Sequence, residues 1–567
     1  MDRLAVASTL REIGLLLGLE KGNRFRARAY ERGARALESA GALDLDALAQ
    51  AGRLTAIPGI GRALAGTIAE VRATGRSTLL ERLRRRFPPG AIELGSLLSL
   101  RRIQVLHEAL GIVTLAQLRE ACEAGRIRRV PGFGIKTERR LLERIADRAA
   151  RGAGVLLPEA DRQAEIVCAH LRAHTDVRRI EIAGALRRRV EAVDRVELVA
   201  CSTAPTAVAT HAARLPSTLA PPEDLGDRIV VRRAGALDVH LNVSDEGRFA
   251  AAWLHATGSD AHVAALSRRA RERGLVLDQN GLRGGTDATP HDEAGIYARL
   301  GMAFVPPELR EGAGEIEAAT DGTLPDDLVR LDDIRGAVHC HTTYSDGRNT
   351  VEEMARAADA LGLDYLTITD HSASAGYARG LEIERLRRQW DEIARVQEGV
   401  RVRLLRGTES DILRDGALDY PDAILAELDV VVASIHNRHG MDARQMTRRL
   451  ERAMRHPRFK IWGHALGRYV LSRPPFACDV ERVLDVIAGS RAAIEVNGDP
   501  HRLDLEPRWL RAARRRGIRF VVSADAHSTA ALRNLRFGVD MARRGWLRRA
   551  DVLNTLDVEA FAAAVRP

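Results

Sequence analysis

From about residue 333 onward, short runs of β-branched and apolar residues alternate with amphipathic helical stretches, and this constrains the fold more than any other feature. Strand candidates are 337–342, 365–369, 402–405, 430–435, 460–462, 493–496 and 518–523. Seven β–α units of this kind predict parallel strands with helices outside, as an open doubly wound sheet or a closed barrel.

The polar residues of these units point to the chemistry. His339 and His341 lie on the first strand, in VHCHTTYSDG, where alternation puts both imidazoles on one face. Asp346 follows in the next loop. His371 ends the second strand (TITDHS), Glu409 the third (RGTESD), His436 the fourth (VVVASIHNR) and His464 the fifth (KIWGHALGR). Asp525 and His527 end the seventh, in VVSADAH. In a parallel β/α fold the C-terminal strand ends share one rim, where sites form. One histidine at a strand end is more often a hydrogen-bonded structural residue. Nine such side chains at matching places in successive units predict a metal site. Zinc takes about four ligands, so two or three ions bridged by carboxylates are implied. A mixed N/O set without thiolate suits Zn²⁺, Mn²⁺ or Fe²⁺. Clustered divalent ions activate water and neutralise a leaving oxygen, which points to phosphoester hydrolysis.

These motifs closely resemble the PHP (polymerase and histidinol phosphatase) domain. The resemblance implies a distorted seven-stranded β/α barrel with a trinuclear site. By position, His339, His341, Glu409 and Asp525 look like the first metal's ligands. Asp346, His371 and His527 look like the second's, and Glu409, His436 and His464 the third's. Glu409, Asp525 and His341 are expected to carry catalysis through the water that the ions activate. Relatives often carry Asp where this chain has Ala337. Arg468 and Arg473 are candidates for substrate phosphate contacts, with solvated surface charge as the alternative.

The N-terminal region has a different composition. Residues 1–150 hold 27 Lys and Arg against 16 Asp and Glu, whereas the whole chain carries +10. The excess therefore sits at one end and suggests an anionic partner, nucleic acid first. Arginine abundance alone proves little, because the chain has only three lysines and its basic residues are otherwise all arginine. Two segments read as helix–hairpin–helix elements, IPGIG at 57–61 and VPGFG at 130–134, the latter followed by Lys136. Gly59, Gly61, Gly132 and Gly134 permit tight turns whose N–H groups approach a phosphate at a helix start. Such contacts hold DNA without reading its sequence.

The order of parts resembles a bacterial family X DNA polymerase with a fused PHP domain, over essentially the whole chain. The matching segments include FRARAYERGARAL, AGALRRRVEAV, ATGSDAH, ERGLVLDQNGL and PPELREGAGEIEAA. The departures fall on the polymerase site. Two-metal polymerases need clustered carboxylates, and the family supplies Asp-x-Asp on one strand and a third Asp on its neighbour. Here the pair is Arg195 and Glu197, with Asp238 at the third position. The family's Gly-Ser is Gly184-Ala185, and its lyase lysine falls on Thr67, which cannot form a Schiff base.

The expected organisation is a helical DNA-binding domain at 1–88 and a fingers-like helical domain at 89–150. A degenerate α+β nucleotidyltransferase-like palm and thumb at 151–311, a linker at 312–332 and the PHP barrel at 333–567 follow. The expected function is hydrolysis of DNA phosphoesters as a 3′–5′ exonuclease, 3′-phosphatase or abasic-site nuclease, with polymerase activity lost. The alternatives are an active gap-filling polymerase, a small-molecule phosphatase and a non-enzymatic DNA-binding scaffold. Two or three divalent ions and DNA with a gap or free 3′ end are the expected cofactors and partner. Five scattered cysteines and the lack of a long apolar run suggest a cytoplasmic, nucleoid-associated monomer with no membrane span.

Overall fold

The computed structural model describes residues 3–19, 24–39, 45–57, 59–87, 91–95, 97–150, 154–215, 218, 221–224, 226, 228–233, 236–284 and 290–567. They form two compact units. One comprises residues 1–155, 159–182 and 194–249, the other residues 156–158, 183–193 and 250–567.

In the first unit, the helix Arg24–Ser39 buries Ala27, Tyr30, Ala34 and Leu37. Their three- and four-residue spacing puts them on one face. They join Leu10, Ile13 and Leu17 in one apolar core, while Leu94 to Ile145 contribute to a separate one. A five-stranded sheet follows, made of β1 (Arg179–Ile182), β2 (Arg195–Cys201), β3 (Glu223–Asp224), β4 (Arg228–Val231) and β5 (Asp238–Ser244). Its order is β1-β2-β5-β4-β3. Strands β2 and β5 run parallel, with Arg195 opposite Asp238 and Glu197 opposite His240. Val196 and Leu198 are fully buried, so alternation turns Arg195 and Glu197 to the other, half-exposed face.

In the second unit, residues 250–328 build an apolar core around Leu254, Leu266, Ile296 and Tyr297. The stretch expected as a linker is part of this core. It forms the helix Glu315–Asp321 and buries Ile316 and Ala319. Glu315, wholly buried, accepts from the backbone N–H groups of Gly312 and Ala313 and pairs with His262 at 2.6 Å. A polar composition is compatible with burial when each polar group has a partner.

The chain then closes a barrel of seven parallel strands: β6 (Gly336–Cys340), β7 (Tyr365–Ile368), β8 (Arg403–Asp411), β9 (Val430–Ser434), β10 (Ile461–Trp462), β11 (Ala493–Asn497) and β12 (Phe520–Ala526). Neighbours in sequence are neighbours in space, and β12 returns to β6. Of the two arrangements open to the sequence, the closed one is adopted. Val338, Leu405, Val432, Ile461 and Val521 fill its interior. Phe561 of the last helix, Val558–Val565, stacks on Tyr365 at 4.7 Å. Strand β8 runs six residues past its expected end at 405 and β12 three past its expected end at 523, so Glu409 and Asp525 lie within strands. Gly407 makes the longer β8 possible, because a Cβ there would lie 2.7 Å from the Thr369 methyl.

Candidate functional site

Backbone irregularity aims the ligand side chains. His339 has φ +65° where the pairing of β6 shifts register against both neighbours. The alternation expected for His339 and His341 is therefore broken by a bulge, which re-aims a side chain next to a site. Asp525 (φ +46°) and His464 (φ +25°) are also left-handed. Such conformations cost roughly 1–3 kcal/mol each and persist where the surroundings over-determine them.

All nine side chains converge on one spot. Glu409 lies at the centre, 1% exposed. Its Oε2 is 2.9 Å from His371 Nδ1, 3.4 Å from His339 Nε2 and 3.6 Å from His341 Nε2. Its Oε1 is 2.7 Å from His464 Nε2 and 3.0 Å from His436 Nε2. Asp525 Oδ1 faces His341 at 3.4 Å and both His339 and His527 at 3.6 Å. Asp346 Oδ1 lies 3.4 Å from His527 and 3.6 Å from His371. The ligand atoms fall into four overlapping groups, each within 4.8 Å: His341–Asp346–His371–His527, His339–His341–Glu409, His339–His464–Asp525 and His371–Glu409–His436.

Several of these atoms are buried without a hydrogen bond: Nε2 of His339 and His436, both ring nitrogens of His341, Nδ1 of His371 and His464, and Oδ1 of Asp525. Buried polar atoms are nearly always satisfied, so such a concentration calls for a further partner. Divalent cations suit it, since imidazole nitrogens and carboxylates are their usual ligands. In three of the histidines the second nitrogen is already engaged. His339 Nδ1 meets Glu495 Oε1 at 2.5 Å, His436 Nδ1 meets Asp411 Oδ1 at 2.6 Å, and His527 Nδ1 meets the Asp525 carbonyl at 3.0 Å. Such contacts fix ring orientation and turn Nε2 toward the centre. The buried His/Asp/Glu clusters thus form a multi-metal site.

The protein's own charges are balanced by imidazoles. Burial opposes a charge on His371, but Glu409 and Asp346 raise it to about 10. Burial likewise opposes His527, and Asp346 and Asp525 raise it to about 9. Burial and the neighbouring His527 push His341 down to about 4, and burial with Arg502 does the same to His464. Glu409 resists its burial and is held well below the carboxylate range by His436, His371 and His339.

A cavity of about 340 Å³ opens over the cluster. Arg473 lines it, as does Arg502, whose Nε lies 3.1 Å from Asp525 Oδ2. Both guanidiniums sit over the Tyr469 ring, at 4.3 and 4.7 Å. Arg468 does not line it. Its Nε donates to the Arg502 carbonyl, and its head group also meets Leu503 and Glu191. Sequence reasoning passed over Arg502, Glu495 and Asp411. Glu495 was signalled by a carboxylate inside an apolar strand, Asp411 by its place two residues after Glu409.

The other predicted residues lie in the first unit. Gly59 (φ +89°) and Gly132 (φ +86°) are left-handed and exposed, as the turns require. A Cβ on Gly61 or Gly134 would meet nothing within 4 Å, so neither glycine serves internal packing. Gly61 caps the helix Arg62–Thr74 without a side-chain acceptor, leaving its first N–H groups available. Lys136 is exposed beside the second turn. On the sheet, Arg195 Nε lies 3.3 Å from Glu197 Oε1, and Arg232 Nη1 lies 2.7 Å from Asp238 Oδ2.

Known protein families match four stretches of the chain. Residues 1–77 match a helix-hairpin-helix domain, 100–147 a SAM-like helix-hairpin-helix tandem, 252–311 the DNA polymerase beta thumb, and 337–498 the PHP domain. The chain is 32% identical to the DNA polymerase/3′-5′ exonuclease PolX of Bacillus subtilis, over 99% of both chains. A probable phosphatase of Caldanaerobacter subterraneus is 31% identical over 33% of this chain and 74% of its own. One from Aliivibrio fischeri is 32% identical over 29% of this chain and 64% of its own.

Proposed function

The chain belongs to the bacterial family X DNA polymerases that carry a PHP domain, and from that premise we propose that its barrel hydrolyses phosphoesters at DNA 3′ ends while its helix–hairpin–helix elements hold the duplex. The observation that carries this reading is Glu409, which faces five imidazoles at the centre of nine convergent side chains. His339, His341, Glu409 and Asp525 would hold one ion, Asp346, His371 and His527 a second, and Glu409, His436 and His464 a third. Mn²⁺ or Zn²⁺ suits these ligands, Fe²⁺ being a further option. Divalent ions bound there supply an activated water and stabilise charge on the leaving oxygen.

The chain's own residues do the rest. Arg473 and Arg502 offer fixed charge to phosphate oxygens along the cavity wall. Asn497 Nδ2 and Arg502 hold Asp525 through Oδ2, leaving Oδ1 for the centre. The exposed turns at Gly59, Gly61, Gly132, Gly134 and Lys136 offer backbone N–H groups and one cation to DNA phosphates. Domain limits at 88 and 150 and a cytoplasmic, monomeric state remain part of this reading, whereas the linker expected at 312–332 does not.

DNA synthesis is lost in this reading. Arg195 and Arg232 occupy with fixed positive charge the carboxylates that Mg²⁺ would need. A test uses metal-free protein reloaded with Mn²⁺ and a 5′-labelled gapped primer–template, with and without nucleotides. Primer shortening that His341→Ala and Asp525→Ala abolish is the expected outcome. Extension by the wild type would sink the polymerase part, and shortening by both variants the barrel part. Small phosphate esters are the second reading, since two relatives that match about a third of the chain are named probable phosphatases. DNA outcompeted by a simple ester at equal concentration would favour it.

A further inference from the structure

Among the rings lining the cavity over the metal centre, two are not imidazoles: Tyr469 and Tyr377. The Tyr469 ring carries the guanidiniums of Arg473 and Arg502. Tyr377 is different. It is 68% exposed, an unusual state for a large aromatic, and its centroid lies only 5.9 Å from that of His371 and 6.0 Å from that of His436. It therefore stands at the mouth, one ring's width from the ligands, with most of its surface open.

The loop that presents it is anchored. Ala375 and Ala378 on either side are 1% exposed. Backbone bonds run from Ala375 N to the Ser372 carbonyl, Gly380 N to Ala375, and Leu381 N to His371. A Cβ on Gly380 would lie 1.9 Å from the Ser372 oxygen, so the loop packs directly on the strand end that carries His371. Arg385 Nη1 donates to the Arg379 carbonyl at 2.9 Å, and the Arg379 guanidinium reaches the Ser345 carbonyl. An exposed aromatic on a fixed loop is a preorganised surface, which loses little freedom on binding.

We propose that Tyr377 is the positioning residue on which the base of the 3′-terminal nucleotide stacks, so that the phosphoester behind it meets Arg473, Arg502 and the metal centre. This rests on the DNA-hydrolysing reading above. The cavity is at the small end for ligand sites, which suits one nucleotide unit. Stacking on an aromatic face tolerates every base, as an enzyme that shortens DNA of any sequence requires.

The test measures hydrolysis and stacking separately. Full-length Mn²⁺-loaded protein is given two oligonucleotides that differ only in a 3′-terminal residue with or without its base. Tyr377→Ala is expected to shrink the preference for the base-bearing end by roughly tenfold, mainly through KM, whereas Tyr377→Phe keeps it. In parallel, metal-free protein binds an oligonucleotide ending in 2-aminopurine. Wild type and Tyr377→Phe should quench its fluorescence, and Tyr377→Ala should not. Equal quenching by Tyr377→Ala, or an unchanged end preference, overturns the platform while leaving hydrolysis intact. Absence of any shortening by the wild type, with quenching that depends on Tyr377, overturns the hydrolytic reading and leaves the platform standing.

Discussion

The barrel and the five-stranded sheet both gather carboxylates on one face, and they differ in what neutralises them. In the barrel, Glu409, Asp525 and Asp346 face imidazoles. On the sheet, Glu197 and Asp238 face the guanidiniums of Arg195 and Arg232. An imidazole gives up its proton and then becomes a ligand to the metal that replaces it. A guanidinium does neither, since it stays charged at any pH the protein tolerates. In the reading proposed above, carboxylates therefore admit cations in the barrel and refuse them on the sheet.

The sharpest way to break this contrast is to remove the carboxylate shared by five histidines. Glu409→Gln keeps the shape and loses the charge. Metal content should fall by at least two ions per chain, and hydrolysis by on the order of a thousandfold, the upper end of what one electrostatic group contributes. Metal analysis and single-turnover kinetics read both. Retention of full metal content would mean that the remaining ligands hold the ions without Glu409.

The converse change tests the sheet. Arg195→Asp with Glu197→Asp places three carboxylates around one point, since Arg195 lies opposite Asp238 in the β2–β5 register. Mg²⁺-dependent primer extension should rise by on the order of a hundredfold. Adding Arg232→Ala should raise it again by freeing Asp238 Oδ2. No gain in either variant would place the block elsewhere in the palm, and the contrast in counter-charge would not explain it.

How far this contrast was legible in the sequence depends on what kind of partner each residue has. The strand ends of 365–369 and 430–435 could be read from local pattern, and so could the histidines that follow them. Arg195 was visible at the position to which the resemblance assigns an aspartate. What escaped depends on distant partners. The stretch 312–332 looked like a linker, and it is folded because Glu315 meets His262, fifty-three residues away. Arg468 and Arg502 carry the same charge, and only the fold decides that Arg502 is the one that lines the cavity. The bulge at His339 breaks the periodicity on which its own prediction rested, and re-aims the ring toward Glu409.

Protons sharpen the comparison further. Without metal, His371 keeps its proton until about pH 10 and His527 until about pH 9. Both values are raised, so these ion pairs stabilise the metal-free fold at neutral pH and lose that contribution as pH rises through 9 to 10. Metal must displace both protons. Affinity should therefore rise between pH 7 and 9 by up to about a hundredfold per unit, tenfold for each proton released. Titration calorimetry in buffers of different ionisation heat counts the protons directly. Affinity independent of pH over that range would show that the imidazoles are already neutral.

The smallest expected effect separates orientation from structure. Asp411 and Asp370 are both buried carboxylates near the centre. Asp411 holds His436 Nδ1 at 2.6 Å and accepts from Ser374. Asp370 takes the hydroxyls of Thr342 and Ser345 and the Gln389 amide, with no histidine among these partners. Asp411→Asn replaces the charged acceptor that keeps the His436 proton on Nδ1 by a weaker, neutral amide oxygen, so its Nε2 is less strictly aimed at Glu409. Metal affinity should fall roughly tenfold to a hundredfold, the range for partners behind a ligand. Asp370→Asn should lower thermal stability by disturbing the two or three of its five hydrogen bonds that end on the replaced oxygen, each worth about 1 kcal/mol or somewhat more to a charged group. It should leave metal affinity nearly unchanged. Equal losses of affinity in the two variants would mean that the site depends on rigidity of the rim in general. A loss confined to Asp411→Asn would tie the affinity to one imidazole's tautomer, a lever that arginine on the sheet lacks.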